Sequence, residues 1–525
     1  MAERRTWWRA FALVLLATLA WSSGIPLLTG PDESSQVVRA AGVVRGDAIG
    51  RPVPGTDNFF VEVSAPAGYE IADEAGGCYL GEAHIDIVGE RRDRSRFWEC
   101  PRVSDLGEDS VQETYQHRGQ PLYYAVVGVA SLPWGGEHGL VLMRVIAAVV
   151  CSAFIASALT SVRHMLDPGI GALAVAAAIT PTCLYLAAIV NPSGLEVAAA
   201  LAAWASAGAV VAGPAAPSRR LVARLGVALA VVALARGLGP VFALVIVVAA
   251  VVVADPDRRR GLAARRDVRA WGAVVAVSLA VSALWLVWLA RDYPVPARQG
   301  SGLVDAVGQL GWFGRSMVAV FGTTDVVPPA LLPVTWAAVA IAVLVLAARR
   351  MRRRDLGVAL VLLAAGPLML VSGQGLSVPD TGYWWQGRYV LPFAIGGLVM
   401  AGATAGRRPP AAHATTRVRP AGIDPRVRTV LLAILAVCHV WAFAYTLRHY
   451  GVGYDGTLRP FTVLFDPYWS PIVGTTWLWF GCLTVAVALL ARAGGRAGGA
   501  PVAPDHPPST SSGVEQVAVD AGGRQ

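Results

Sequence analysis

Apolar runs near the length that a helix needs to cross a bilayer recur along this chain about a dozen times. They fall at about 7–28, 140–160, 169–190, 193–213, 221–236, 239–254, 271–290, 331–348, 355–372, 388–405, 428–447 and 471–491. The runs at 221–236 and 239–254 are short and share a tight Gly237–Pro240 turn, so they are expected to form a hairpin. The fold class expected is an all-α integral membrane protein of about 12 transmembrane helices. Composition agrees: 55% of the 525 residues are hydrophobic and 15% charged, and the mean hydropathy of +0.52 is too high for a soluble chain of this length.

The net charge is +9, and all 44 basic residues are arginine. With the abundance of Ala, Val, Gly and Pro, this suggests a GC-rich bacterial genome. A basic balance can signal nucleic acid, but these arginines flank the apolar runs as topology signals do. The partner expected is therefore the lipid bilayer, with no nucleic acid. Threading from a cytoplasmic N-terminus assigns Arg163, Arg219, Arg220, Arg258–Arg260, Arg265, Arg266, Arg349, Arg350, Arg352–Arg354, Arg407, Arg408 and Arg426 to inner loops. The short outer loops receive few: Arg236, Arg291, Arg298, Arg315, Arg388, Arg448 and Arg459. The expected location is the plasma membrane, multi-pass, with both termini cytoplasmic.

Arg4, Arg5 and Arg9 followed by an apolar run look like a signal peptide. The run is long enough to span, and Ser22-Ser23-Gly24 is a poor cleavage site, so residues 1–28 are read as an uncleaved first helix. Residues 29–139 form a polar loop that should fold as a small mixed extracytoplasmic cap. In it, Asn58-Phe59-Phe60-Val61-Glu62-Val63 alternates as a strand does. Gln36–Val44 reads as an amphipathic helix along the membrane, and Pro121–Leu132 as an interfacial or re-entrant segment. Residues 140–491 are the bundle, and 492–525 a disordered cytoplasmic tail. The inner loop at Arg407–Arg426 reads as flexible. Cys78 and Cys100 lie in the outer loop, where an oxidising face favours a disulfide over two free thiols. Cys151, Cys183, Cys438 and Cys482 sit in apolar runs as small hydrophobes. There is no CxxC pair, zinc-like spacing or Gly-rich phosphate loop.

The polar residues that do not belong in a lipid-facing bundle gather on the outer face. Asp32 and Glu33 follow the first run, and adjacent carboxylates there are either a helix cap or catalytic groups. Arg144 lies one turn into the second run, and His117 precedes Tyr123 and Tyr124. Asn191 opens the fourth run and Glu196 lies just over one turn inside it, where an ionisable group is costly and so a functional candidate. Arg236 and Arg388 run against the charge trend, and outward guanidinium groups suit a lipid phosphate, an interface or a salt bridge. Gln386 and Tyr389 flank Arg388. Tyr383, Trp384 and Trp385 suit either a stacked sugar or an interfacial belt, and His84 with Asp86 is a weaker pair.

Several of these segments resemble the domain of unknown function 2142 family of bacterial multi-spanning membrane proteins. The segments are Pro31-Asp32-Glu33, Gly119-Gln120-Pro121-Leu122-Tyr123-Tyr124, Arg144, Asn191-Pro192-Ser193-Gly194-Leu195-Glu196 and Gln386-Gly387-Arg388-Tyr389-Val390-Leu391-Pro392. One departure is visible: the family often has a His three residues after the Glu, where this chain has Gln36. The family in turn is similar to the GT-C superfamily of membrane glycosyltransferases, which use polyprenyl-phosphate sugars and carry an acidic residue in the first outer loop. That resemblance implies that Asp32 or Glu33 is the catalytic base, with Arg388 first and Arg236 second as the cation facing the leaving phosphate. His117, Tyr123, Tyr124, Arg144, Asn191, Glu196, Gln386 and Tyr389 are the other substrate-binding candidates. The carboxylate pair is also able to hold a divalent metal such as Mg or Mn.

The function expected is transfer of a sugar from a polyprenyl-phosphate donor to a cell-envelope glycan or lipid acceptor on the outer face. The rival readings are a transporter or flippase for a lipid-linked saccharide and a non-catalytic envelope-assembly scaffold. A transporter should show internal repeats and mid-membrane ionisable groups, and neither stands out here.

Overall fold

The computed structural model describes residues 2–56, 58–79, 100, 103, 108–292, 302–381, 385–407, 423–452, 460–465, 467 and 469–496. The chain opens with α1 (Ala2–Ser23). A cap follows, made of α2 (Glu33–Val44), the antiparallel strands β1 (Arg51–Pro52), β2 (Val61–Pro66) and β3 (Asp109–Thr114), α3 (Ala72–Gly77) and α4 (Pro121–Gly128). Next come α5 (Glu137–Ser161), α6 (Pro168–Ala178), α7 (Pro181–Ala188), α8 (Pro192–Ala212), α9 (Arg219–Ala235), α10 (Gly239–Val253), α11 (Pro256–Ala264) and α12 (Arg266–Asp292). The remainder is α13 (Leu303–Gly308), α14 (Leu310–Val318), α15 (Leu331–Ala348), α16 (Arg353–Thr381), α17 (Leu391–Thr404), α18 (Pro425–Val452), α19 (Pro460–Phe465) and α20 (Thr476–Arg496).

Three Xaa-Pro pairs divide the apolar stretch from 168 to 212. Asp167, Thr180 and Asn191 each accept backbone amides at the start of α6, α7 and α8, with Pro168, Pro181 and Pro192 in the first turn. Proline loses no hydrogen bond there, but its ring stops the preceding helix from continuing. The run expected as one span at 169–190 is therefore a pair, α6 and α7, bent by 61°. α8 is buried along its whole length and forms the centre of the bundle. Its small side chains admit α5, α9 and α17 closely, and Trp204 donates to the Pro392 carbonyl at 3.0 Å. α12, α16 and α20 turn most of their apolar surface outward, as helices solvated by lipid do.

All twelve apolar runs contain helix, yet they do not amount to twelve established crossings. Among the described residues, seven helices are long and apolar enough to cross a bilayer: α5, α8, α12, α15, α16, α18 and α20. The bent pair makes up to eight, and α10 and α17 are apolar but shorter. Residues 492–496, expected in the tail, continue α20; residues 497–525 and 408–422 lie outside the described residues.

The two ends of the bundle differ in charge. At one end Arg163 meets Thr6, Arg224 meets Glu3, and Arg258 donates to the carbonyl of Val210 in the last turn of α8. Arg350 pairs there with Asp167, and Arg352 and Arg407 pair with Asp255. The other end carries the cap. α2, expected as an amphipathic helix along the membrane, is buried on nearly all sides, under the sheet and against α4, where Gly128 leaves room for the Ala40 carbonyl that any Cβ would strike. The β2–β3 register runs from Val61↔Thr114 to Pro66↔Asp109 and points Val61, Val63 and Ala65 inward. Arg39, fully buried, donates to the carbonyls of Asp47, Ala48 and His117 and so ties the cap together. A disulfide joins Cys78 to Cys100, with 5.7 Å between their Cα atoms.

Candidate functional site

The turn between α1 and α2 sends two adjacent carboxylates to different fates. Glu33, the first residue of α2, is 1% exposed. Its oxygens accept from Arg144 Nε at 2.8 Å and Nη2 at 2.6 Å, and from the amides of Gly30 and Val190 at 3.0 Å each. Arg144 is equally buried, and its remaining donors bind the carbonyls of Ser22, Ile25 and Pro26 at the end of α1. A buried charge is tolerated only when paired and hydrogen-bonded, and this pair meets that condition. It locks α1, α2, α5 and the α7–α8 junction together. Glu33, a candidate base on sequence grounds, keeps no acceptor position for a substrate.

Asp32 precedes α2 in the left-handed region, φ 59°, and makes no side-chain cap to the helix. Asparagine and aspartate tolerate that region better than most residues, at some cost. The turn is pinned by Asn191, whose Nδ2 donates to the Pro31 carbonyl at 2.8 Å while its Oδ1 caps α8. Gly194, one turn on, has no room for a Cβ beside the Leu186 carbonyl, so the α7–α8 junction is tight. The Asp32 side chain is one-third exposed. Oδ2 accepts from Arg388 Nη2 at 3.0 Å, and Oδ1 accepts from the Tyr115 hydroxyl at 3.2 Å. Burial, then the Asp32 charge, pushes the Tyr115 phenol above its ordinary range, so it stays a donor.

Arg388 lies in a short 3-10 turn, Gly387–Tyr389, just before α17 and is 4% exposed. Its Nε and Nη1 have no hydrogen-bond partner among the described residues. Its guanidinium and that of Arg236 both stand against the Tyr389 ring, at 5.1 and 5.0 Å from the centroid. Arg236, just after α9, donates to Ser193 Oγ at 2.9 Å and lies 3.7 Å from Glu196 Oε2. Glu196 is buried, and its other oxygen has no partner among the described residues. Asp32, Arg388, Tyr389, Arg236 and Glu196 thus form one linked cluster at the capped end of the bundle, with Glu33, Arg144 and Asn191 behind it.

The remaining candidates are held in contacts of the cap or at the edge of this cluster. His117 is buried beneath the cap, and burial, then Arg118 and Arg39, hold its imidazole down at about 4. Tyr124 donates to Gln36 Oε1 at 2.6 Å and packs edge-on against the buried Tyr123. Gln36 is therefore engaged in cap packing. Gln386 opens the Arg388 turn half-buried, and Trp385 packs edge-on against Tyr389. His84, Asp86, Tyr383 and Trp384 lie outside the described residues. Sequence reasoning passed over Tyr115 and the buried pair His449–Asp325, 3.2 Å apart. Tyr115 is an ordinary residue at a strand end, and the pair joins an interhelical loop to the end of α18, so no spacing signals either contact.

The carboxylates read above as a metal pair do not fit one. Glu33 is saturated by Arg144 and two amides, and Asp32 faces a guanidinium that would repel a cation. Among the described residues no group of three or more His, Cys, Asp or Glu side chains gathers as metal ligands.

Fold and site together define a multi-pass helical membrane protein with a cluster of paired arginines and carboxylates under a small cap. The chain belongs to the family described as Predicted membrane protein (DUF2142), whose model matches residues 15–396. No curated protein matches it. Among solved structures it is similar to the crystal structure of ArnT from Cupriavidus metallidurans bound to undecaprenyl phosphate. The identity is 16%, over 93% of this chain and 76% of that one, with a TM-score of 0.40. A superposition that loose says nothing about this chain's site or chemistry.

Proposed function

We propose that the protein transfers a sugar from a polyprenyl-phosphate donor to an envelope hydroxyl, with the capped end outside the plasma membrane and both termini inside. One observation carries the reading. Arg388 is a buried guanidinium with two donor nitrogens unpartnered among the described residues, held 3.0 Å from the partly exposed carboxylate of Asp32. Buried donors without partners are costly, and a phosphate that takes Nη2 from Asp32 would accept from it together with Nε, the parallel fork of the guanidinium, and so relieve part of that cost.

Asp32 is the base. It takes the proton of the acceptor hydroxyl as that oxygen attacks the anomeric carbon. The bond from that carbon to the lipid-phosphate oxygen breaks, and the phosphate leaves with the electron pair. Arg388, helped by Arg236, neutralises the charge that develops on it. The donor phosphate competes with Asp32 for Arg388, so donor binding loosens the ion pair and frees the base. Tyr115 keeps the carboxylate oriented, and Glu33 with Arg144 positions the turn. No step is routed through a metal.

The test is transfer in proteoliposomes from a panel of radiolabelled polyprenyl-phosphate sugars, with wild type beside Asp32→Asn. Transfer that is lost in a folded Asp32→Asn variant supports the assignment. Donor binding without transfer by wild type across the panel overturns it in favour of a flippase or a scaffold.

A further inference from the structure

A cavity of about 420 Å³ opens at the end of the bundle away from the cap, between α1, α5, α6, α18 and α20. We infer that it holds one acyl chain of an anionic phospholipid from the surrounding leaflet. The walls are mostly apolar, with Leu13, Leu159, Leu435 and Leu490 among them and the buried His439 the one imidazole. On α1 the lining runs from Thr6 to Ala17, about 16 Å at about 1.5 Å per residue. That is about half of a hydrocarbon core of roughly 30 Å, the depth of a single leaflet.

The rim decides the headgroup. Arg9, Arg163 and Arg496 all line the mouth. Arg163 donates to Thr6 at 2.6 Å, and all three side chains are exposed. Glu3, one turn earlier on α1, is already engaged by Arg224 at 2.8 Å and by His164 at 3.5 Å. Three guanidinium groups over an apolar shaft match a phosphate-bearing headgroup above its own chain. The cavity lies at the opposite end from Asp32 and Arg388, so this lipid is not the sugar donor. The inference stands whether or not transfer is found at the capped end.

The test uses the full chain in mild detergent and native mass spectrometry, titrating phosphatidylglycerol and phosphatidylcholine of equal chain length. Wild type should prefer phosphatidylglycerol by on the order of tenfold or more. Each arginine removed should weaken that lipid roughly fivefold, and Arg9→Gln/Arg163→Gln/Arg496→Gln should bind the two lipids alike. These side chains are exposed, so the variant should fold. Ala436→Phe, which fills the shaft, should weaken both lipids. Equal binding of the two lipids by wild type would overturn the headgroup assignment. Selective binding that survives both variants would put the lipid elsewhere and overturn the inference.

Discussion

Glu33→Gln should damage the protein far more than Asp32→Asn, although the residues are neighbours. In the wild type, the Glu33 carboxylate accepts four hydrogen bonds, two of them from a guanidinium that is 2% exposed. Glutamine keeps the volume but removes the charge, and its amide nitrogen must face another donor. Arg144 is then buried without a counter-ion, a loss of about 3–5 kcal/mol. Asparagine at 32 keeps an acceptor for Arg388, tolerates the positive φ of 59°, and sits on a one-third exposed side chain. Its cost should be about 1–2 kcal/mol. Unfolding of such a chain is expected to be irreversible, so apparent midpoints are the quantity to rank. Heating in detergent, followed by size-exclusion chromatography of what survives, reads them directly. Adding Arg144→Gln to Glu33→Gln should cost less than the sum of the single changes, because each single change leaves a lone buried charge and the double variant leaves none. Catalytically the order inverts: Asp32→Asn should lose at least about a hundredfold in transfer while staying folded. A Glu33→Gln protein as heat-resistant as wild type would refute the anchoring argument.

Arg388→Lys keeps the charge but loses the fork of donors, so transfer should fall on the order of a hundredfold in the proteoliposome assay; a lysine variant at full rate would remove the bidentate phosphate from the reading. Chelation with EDTA should leave transfer unchanged, since Glu33 is saturated and Asp32 faces Arg388. The His117 imidazole, held at about 4 by burial and by Arg118 and Arg39, binds its proton more weakly folded than unfolded. Its contribution is therefore complete above about 6.5 and is lost as pH falls towards 4, by on the order of 2–3 kcal/mol. Apparent midpoints measured from pH 7 to 4 should drop across that window, and less so in His117→Gln. Cys78→Ser/Cys100→Ser opens a loop with a sequence separation of 22 and should weaken the cap by about 3 kcal/mol, seen as faster proteolysis of the cap with the bundle intact.

Period and composition alone carried the helical membrane class, the positions of the long apolar helices and the polar cap, because lipid forces each spanning segment to satisfy its own backbone and to be apolar for about twenty residues; the short helices α3, α11, α13, α14 and α19 were not anticipated. Arginine placement anticipated a bundle with one arginine-rich end, and Arg163, Arg258, Arg350 and Arg407 do meet there. Asn191 opens a run in the sequence and caps α8, whereas the caps at Asp167 and Thr180 and the 61° bend between α6 and α7 fall at or inside a run, 169–190, expected as one span. The short motifs picked out Asp32, Glu196 and Arg388, but no motif separated Asp32 from Glu33. That division depends on a positive φ at Asp32 and on Arg144, which meets Glu33 across a sequence separation of 111. It depends equally on Arg388, which meets Asp32 across 356. Likewise, Gln36–Val44 has the pattern of a surface helix and is buried only because the sheet closes over it. Hydrophobic period and capping act within a few residues and are written along the chain, whereas an ion pair forms only where packing brings its two halves within about 4 Å, and that distance exists only in the folded bundle.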